Sequence, residues 1–257
     1  MDRRRARRLL LPRRCPLPIR DPAGRVGCAA MNVAIAGGTG KEGFGLALRF
    51  LMAGHHVTIG SRDAAKAAAS VAEAKELLGE DAAVGGAENA EAVVGAPVVV
   101  VTVPFAGQAV IYEAIRDHLA DGAVVVDATS PLQAAVGGKA WEALRPWQGS
   151  AAEFAATLVP PGIRIVGAFH TVAAASLRAI DHPVEEDVLV VGDDAEAKAF
   201  VGELVDGIPG MRWVDGGPLA MARITEQLTP LLISINRRYK TKESGFRIVG
   251  RDTWGAG

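Results

Sequence analysis

The stretch NVAIAGGTGKEGFG at residues 32–45 constrains this chain more than any other. Val33, Ala34, Ile35 and Ala36 form an uncharged apolar run, the pattern of a strand buried on both faces of a parallel sheet. It is followed at once by Gly38-Thr39-Gly40-Lys41-Glu42-Gly43, a match to G-x-G-x-x-G, and the helical spacing of Gly43, Ala47, Phe50 and Leu51 begins inside the match. Strand, glycine turn and helix in this order make a dinucleotide site. Gly38 permits the tight turn, Gly40 lets a pyrophosphate approach the main chain, and Gly43 lets the helix lie close to the strand. The amides and dipole of the helix N-terminus then face the phosphates, with Thr39 beside them.

The next strand indicates which dinucleotide. His56-Val57-Thr58-Ile59-Gly60 reads as a strand ending about twenty residues beyond the glycines, where an acid would hold the ribose hydroxyls of NAD. Ser61-Arg62 stands there instead. A guanidinium grips a 2′-phosphate through paired hydrogen bonds, a serine hydroxyl donates to it, and Lys66 one turn later adds to the positive field, so the expected cofactor is NADP(H). The competing reading makes Ser61 or Asp63 a cap for the following helix and Arg62 a solvated charge.

Residues 1–30 stand apart from this organisation. They hold nine arginines against two aspartates, four of the fourteen prolines and both cysteines, the composition of a disordered extension ahead of a start at Met31. Residues 31–257 carry nineteen basic against twenty-seven acidic side chains, a net of −8, which argues against a nucleic-acid groove. With Cys15 and Cys28 both in the extension, the body has no disulfide, no catalytic thiolate and no cysteine-ligated metal. No apolar run reaches the roughly eighteen residues that span a bilayer, so no membrane partner is expected and the expected location is cytoplasmic.

The body alternates strand and helix. After a helix over 63–78, a short strand at 85–86 and a short helix over 89–95 comes PVVVVTVP at 97–104, the strongest strand signal in the chain. A helix over 107–119, a strand over 123–127, a long irregular loop over 133–149 and a helix over 151–158 capped by Ser150 follow. Further strands at 163–169, 187–191 and 211–214 enclose a helix over 195–205, and a long helix runs to about 238. The pattern predicts an α/β protein with a Rossmann-type doubly wound parallel sheet. The expected division is an NADP-binding domain over 31–168, a smaller C-terminal α/β domain over 169–249 and a fraying tail over 250–257, with disorder of the chain end beginning near 245.

Ligands in such sheets lie beyond the carboxyl ends of the strands, which makes Thr102, Val103 and Pro104, and Thr129, Ser130 and Pro131, candidates for the nicotinamide wall. Ordinary turn chemistry also accounts for prolines and hydroxyls at strand ends. His170 closes an apolar strand at the same level, whereas His55, His56, His118 and His182 have no second ligand at metal spacing. Tyr-x-x-x-Lys, a nucleophile elbow and an evident acid/base pair are all missing from the sequence. Hydride passing between two ring cofactors needs alignment more than a proton donor.

Gly37-Gly38-Thr39-Gly40, Gly60-Ser61-Arg62, Thr102-Val103-Pro104, Ser130-Pro131-Leu132, Phe169-His170-Thr171, Val191-Gly192-Asp193-Asp194 and Gly217-Pro218-Leu219 through Leu228-Thr229-Pro230-Leu231 occur in this order. Over residues 31–249 the chain resembles the NADPH-dependent coenzyme F420 reductases. The resemblance implies hydride exchange between NADPH and a deazaflavin, with Thr39, Ser61 and Arg62 at NADP and His170 and Thr171 facing the deazaflavin as catalytic candidates. Phe105 in place of a frequent tryptophan, Gln133, and the long loop over 134–149 depart from the pattern. An NADP-dependent imine or keto reductase and a non-catalytic NADP-sensing module are the alternatives, the former disfavoured because the C-terminal part alternates strand and helix. An apolar face on the last long helix suits a homodimer.

Overall fold

The computed structural model describes residues 30–250 and, as backbone, two short strands, β1 (Ile19–Arg20) and β2 (Val26–Gly27), which pair antiparallel. The disordered extension expected at 1–30 otherwise lies outside the described residues, as does the tail over 251–257.

β3 (Asn32–Ala36) is buried on both faces, as its uncharged run demands. Val33 and Ile35 enter one core, Ala34 and Ala36 the other. The same split repeats in β6 (Val98–Val101) and β7 (Val124–Asp127), whose valines alternate between the two cores. One core is roofed by α1 (Lys41–Met52) and α7 (Ala195–Asp206), the other by α4 (Gln108–Ile115) and α5 (Ala151–Leu158). With β4 (His56–Ser61), β5 (Val84–Glu88) and β8 (Arg164–Gly167), these strands form a parallel sheet in the order β5-β4-β3-β6-β7-β8. The order reverses between β3 and β6, which opens the crevice where a dinucleotide fits. Helices α2 (Ala64–Leu78), α3 (Asn89–Ala92) and α6 (Ala174–Arg178) complete this part.

Residues 169–249 add to the same sheet. β9 (Glu186–Gly192) pairs antiparallel with β8 over two residues, and β10 (Met211–Gly217) pairs parallel with β9. The eight-stranded sheet is therefore mixed, and the chain direction reverses at the expected domain division. The long final helix is interrupted: a 3-10 turn at Leu219–Met221 and α8 (Ala222–Thr225) precede α9 (Leu228–Tyr239). Pro230 explains the break, since it has no N–H and is tolerated only in the first turn of a helix. The loop over 133–149 carries a 3-10 turn at Gln133–Val136 and a bridge between Leu132 and Ala143, and its Trp141 lies 3.8 Å under the Arg237 guanidinium of α9.

Residues 245–249, expected to fray, are tied down. The Phe246 carbonyl accepts from the Asp187 amide at 2.8 Å, the Phe246 amide donates to Glu186 at 3.1 Å, and the Ile248 amide donates to Asp187 at 2.7 Å. Two buried carboxylates at the start of β9 need donors, and this segment supplies them.

Candidate dinucleotide and hydride-transfer site

After β3 the chain turns at Gly37, whose φ of +78° is natural only to glycine, and the Gly38 amide donates to the carbonyls of Ile35 (3.1 Å) and Gly60 (2.9 Å). Asn89 secures the turn from the end of β5, its Oδ1 accepting from the Gly37 amide at 3.0 Å. At Gly43 a Cβ would lie 2.4 Å from Thr102 Oγ1 and 2.8 Å from Gly38 Cα. Only glycine allows α1 to lie this close.

Helices α2, α5 and α7 begin with side-chain caps from Asp63, Ser150 and Asp194, whereas α1 begins at Gly40 with none. Its first-turn amides and positive dipole end face a cavity of about 810 Å³ lined by Gly37, Thr39 and Gly40. Ser61, Arg62 and Lys66 line the same cavity on one side, Thr102, Val103 and Pro104 on another. Asp63 lines this cavity too, but its carboxylate caps α2 by accepting from the amides of Ala65 and Lys66, and its own amide donates to Ser61 Oγ at 3.2 Å, which leaves the Ser61 proton free to donate. The cavity also has residues that sequence reasoning missed: Asn89 and the apolar side of α4, formed by Val110, Ile111 and Ala114. Asn89 was findable from its place at a strand's carboxyl end. The face of α4 was not.

Thr129, Ser130 and Pro131 do not line this cavity. Thr129 is buried, its amide donating to Asp127 at 3.0 Å and its hydroxyl reaching the Val103 carbonyl at 3.4 Å. Ser130 Oγ lies 2.7 Å from the Thr229 hydroxyl, which donates to the His170 carbonyl at 2.7 Å. Since Thr229 has one proton, Ser130 is the donor of that pair. The three segments 102–104, 129–131 and 169–171 are thereby joined. Thr229 was quoted in the sequence as part of a motif, with no partner assigned to it.

His170 is 7% exposed, and its ring meets only the Ala128 backbone, too poorly aligned for a full hydrogen bond at either nitrogen. Burial pushes its imidazole down to about 4, against the opposing backbone of Ala128, so the ring is neutral at physiological pH. Phe169 just before it holds φ at +65°, a left-handed conformation that a bulky side chain rarely adopts, and packs edge-on to Phe50. The strained backbone of Phe169 and the buried imidazole of His170 lie side by side at the end of β8, and neither His170 nor Thr171 is among the residues that line the cavity. The Thr171 hydroxyl donates to buried Glu186 at 2.6 Å.

Buried and half-buried acids, invisible as a group in the sequence, gather around this end of the sheet. Burial raises Glu226 to about 8 although it accepts from the Ala151 and Ala152 amides at the start of α5. Burial first, then the charge of Asp127, raises Glu42 to about 8, and burial raises Glu186 to about 7. Among the described residues no group of three His, Cys, Asp or Glu side chains is placed to hold a metal ion, and no helix is long and apolar enough to cross a membrane.

Residues 32–131 match the family model for NADP oxidoreductases dependent on coenzyme F420. The chain is 43% identical over 221 residues to the F420-dependent NADP reductase of Methanothermobacter thermautotrophicus, covering 85% of this chain and 95% of that protein. It is 40% identical over 222 residues to that of Methanocaldococcus jannaschii, covering 85% and 98%. Among solved structures, an Arthrobacter sp. FB24 protein assigned as an F420 dependent NADP-reductase superposes with a TM-score of 0.72 at 28% identity, covering 86% of this chain and all of that one. A reductive aminase from Aspergillus terreus shares the fold, with a TM-score of 0.56 at 21% identity over 82% of this chain and 63% of its own.

Proposed function

Because this chain belongs to the family of coenzyme F420-dependent NADP oxidoreductases, we propose that it exchanges a hydride between NADP(H) and coenzyme F420 across the carboxyl ends of β3, β6, β7 and β8. The observation that carries the reading is an uncapped helix N-terminus open to a cavity that Ser61 and Arg62 also line. These features suit an anionic dinucleotide.

The residues divide by task. Gly38 and Gly43 keep the turn tight and α1 close to the strand, Gly40 admits the pyrophosphate, Thr39 and the amides of α1 hydrogen-bond to it, and Ser61, Arg62 and Lys66 hold the 2′-phosphate. Thr102, Val103 and Pro104 form the near wall of the nicotinamide site, while Thr129, Ser130 and Pro131 support it from behind. When bound, NADPH supplies a hydride from carbon 4 of its nicotinamide, and the deazaflavin accepts it at carbon 5. His170, neutral, supports the deazaflavin ring from the end of β8, and Thr171 holds the strand end through Glu186. No proton transfer to the protein is required, so alignment and electrostatic support are the protein's contribution.

We assign residues 31–168 to NADP and residues 169–249 to the deazaflavin and to a homodimer contact through α9, on which Leu231 is more than half exposed and Leu232, Ile233 and Ile235 are partly so. The cytoplasm is the assigned location. Analytical ultracentrifugation checks the dimer, and a monomer at micromolar concentration refutes it.

Stereospecifically deuterated NADPH tests the reaction. The label is expected on the reduced deazaflavin, and His170→Ala is expected to lower the rate without abolishing it. Label lost to solvent, or deazaflavin colour that persists under excess NADPH, would overturn the reading in favour of an imine or keto reductase.

A further inference from the structure

Behind the cofactor wall lies a buried carboxylate whose oxygens are all taken by protein donors. Asp127 closes β7 and is fully buried. Its Oδ2 accepts from Gln108 Nε2 and from the Tyr112 hydroxyl, each at 2.8 Å, and its Oδ1 accepts from the Thr129 amide at 3.0 Å. Gln108 Nε2 also donates to the Ala151 carbonyl at 2.9 Å, so one anion gathers α4, the start of α5 and the turn after β7.

From Thr129 the connections run onward. Its hydroxyl reaches the Val103 carbonyl, Ser130 donates to Thr229, and Thr229 donates to the His170 carbonyl. Every segment assigned to the nicotinamide and deazaflavin walls is reached from Asp127 in at most four steps. Burial works against the charge and raises Asp127 above the usual carboxylate range, while its donors pull the other way. An apolar side chain at the end of a valine strand would avoid that opposition, so a carboxylate here serves geometry.

We propose that Asp127 is a positioning residue for hydride transfer: by holding the Thr129 amide it sets the turn 129–131 and, through Ser130 and Thr229, the backbone of His170. It acts through these groups and not on the reacting atoms. The proposal rests on the reaction assigned above.

The test compares wild type, Asp127→Asn and Tyr112→Phe. An asparagine has one acceptor oxygen; if it faces Gln108 and Tyr112, its amide opposes the Thr129 N–H, and if it faces Thr129, the α4 contacts rearrange. Tyr112→Phe removes one donor from Oδ2 and leaves the Thr129 contact in place. Three quantities are measured on the full chain: NADPH affinity by fluorescence titration, stability by denaturant, and the single-turnover rate of deazaflavin reduction.

Asp127→Asn is expected to slow hydride transfer at least about tenfold, in line with the cost of misplacing reacting groups, with NADPH affinity within about twofold of wild type. Tyr112→Phe is expected to lose stability yet keep its rate within about twofold, because Oδ1 still holds the turn. A rate unchanged in Asp127→Asn and again in Asp127→Ala, which offers the Thr129 amide no acceptor in any orientation, or rates that fall in step with stability across the variants, overturns the proposal. Should Asp127→Asn not fold, Ser130→Ala cuts the connection downstream. A several-fold slower transfer at unchanged NADPH affinity then supports the proposal, and a wild-type rate overturns it. A wild type that never reduces the deazaflavin overturns the assigned reaction itself, and the proposal with it, before any variant is compared.

Discussion

Replacing Gly43 by alanine separates what the close approach of α1 does for the fold from what it does for the cofactor. The new Cβ would sit 2.4 Å from Thr102 Oγ1, 2.8 Å from Gly38 Cα and 3.1 Å from the Gly37 carbonyl. Two of these are backbone, and the Thr102 hydroxyl is itself held to the Ala36 carbonyl at 3.4 Å. Favourable contact begins near 3.5 Å, so the first turn of α1 must retreat by about 1 Å. Two stability effects oppose each other: overpacking costs about 1–3 kcal/mol, and alanine in place of glycine in a helix contributes about 1 kcal/mol. The net expectation is a loss of about 0–2 kcal/mol. Binding has no such compensation, because the retreat draws the uncapped amides away from the phosphates. A hydrogen bond to a charged group contributes about 1.5–3 kcal/mol, so NADPH affinity should fall roughly tenfold or more. Urea denaturation and a fluorescence titration read the two effects on the same sample. Wild-type affinity in a variant that has lost more than about 2 kcal/mol of stability would refute the reasoning, because the glycine would then serve packing alone.

Arg62→Ala should weaken NADPH binding by about 1.5 kcal/mol, the low end for a charge-assisted hydrogen bond because Arg62 is exposed, and leave NADH binding unchanged; equal losses for both nucleotides count against a phosphate role. Arg49 is 1% exposed and donates to the carbonyls of Leu177, His182, Ser176 and Ala179, pinning the segment after His170 to α1. Arg49→Met, which takes the guanidinium from four carbonyls and leaves only that of Ala179 with another donor, the His182 amide, should cost about 3 kcal/mol or more in urea denaturation, and a loss under about 1 kcal/mol contradicts that account. Glu226, raised from its ordinary 4.5 to about 8, binds a proton in the folded state that the unfolded chain has released. Its contribution is complete below pH 4.5 and is lost as pH rises through about 8, so Glu226→Gln should flatten the decline of stability across that window. A decline as steep as in wild type assigns it to other carboxyls such as Glu42 or Glu186.

What the sequence determined by itself is local or periodic. An apolar run ending in Gly38-Thr39-Gly40 has few folded outcomes, because the strand, the turn and the helix start are each set by neighbours a few residues away. The same locality made the α5 boundaries and the Ser150 cap legible, and it placed Ser61 and Arg62 at the end of β4. Period and glycine spacing do not encode strand direction, so the antiparallel join of β8 to β9 awaited the fold.

Tertiary structure decided which polar groups meet. Thr229 and His170 are 59 residues apart, Ala151 and Glu226 75, and Phe246 and Glu186 60. In the sequence each is an ordinary polar or backbone position, and no short-range pattern distinguishes a carboxylate that will cap a distant helix from one that will face water. A buried charge needs donors, and where those donors lie in the chain depends on how the sheet orders its strands. Residues 245–249 show the consequence: nothing in their own pattern holds them, and they are held because their amides meet the buried carboxylates of Glu186 and Asp187 while the Phe246 carbonyl takes the Asp187 amide.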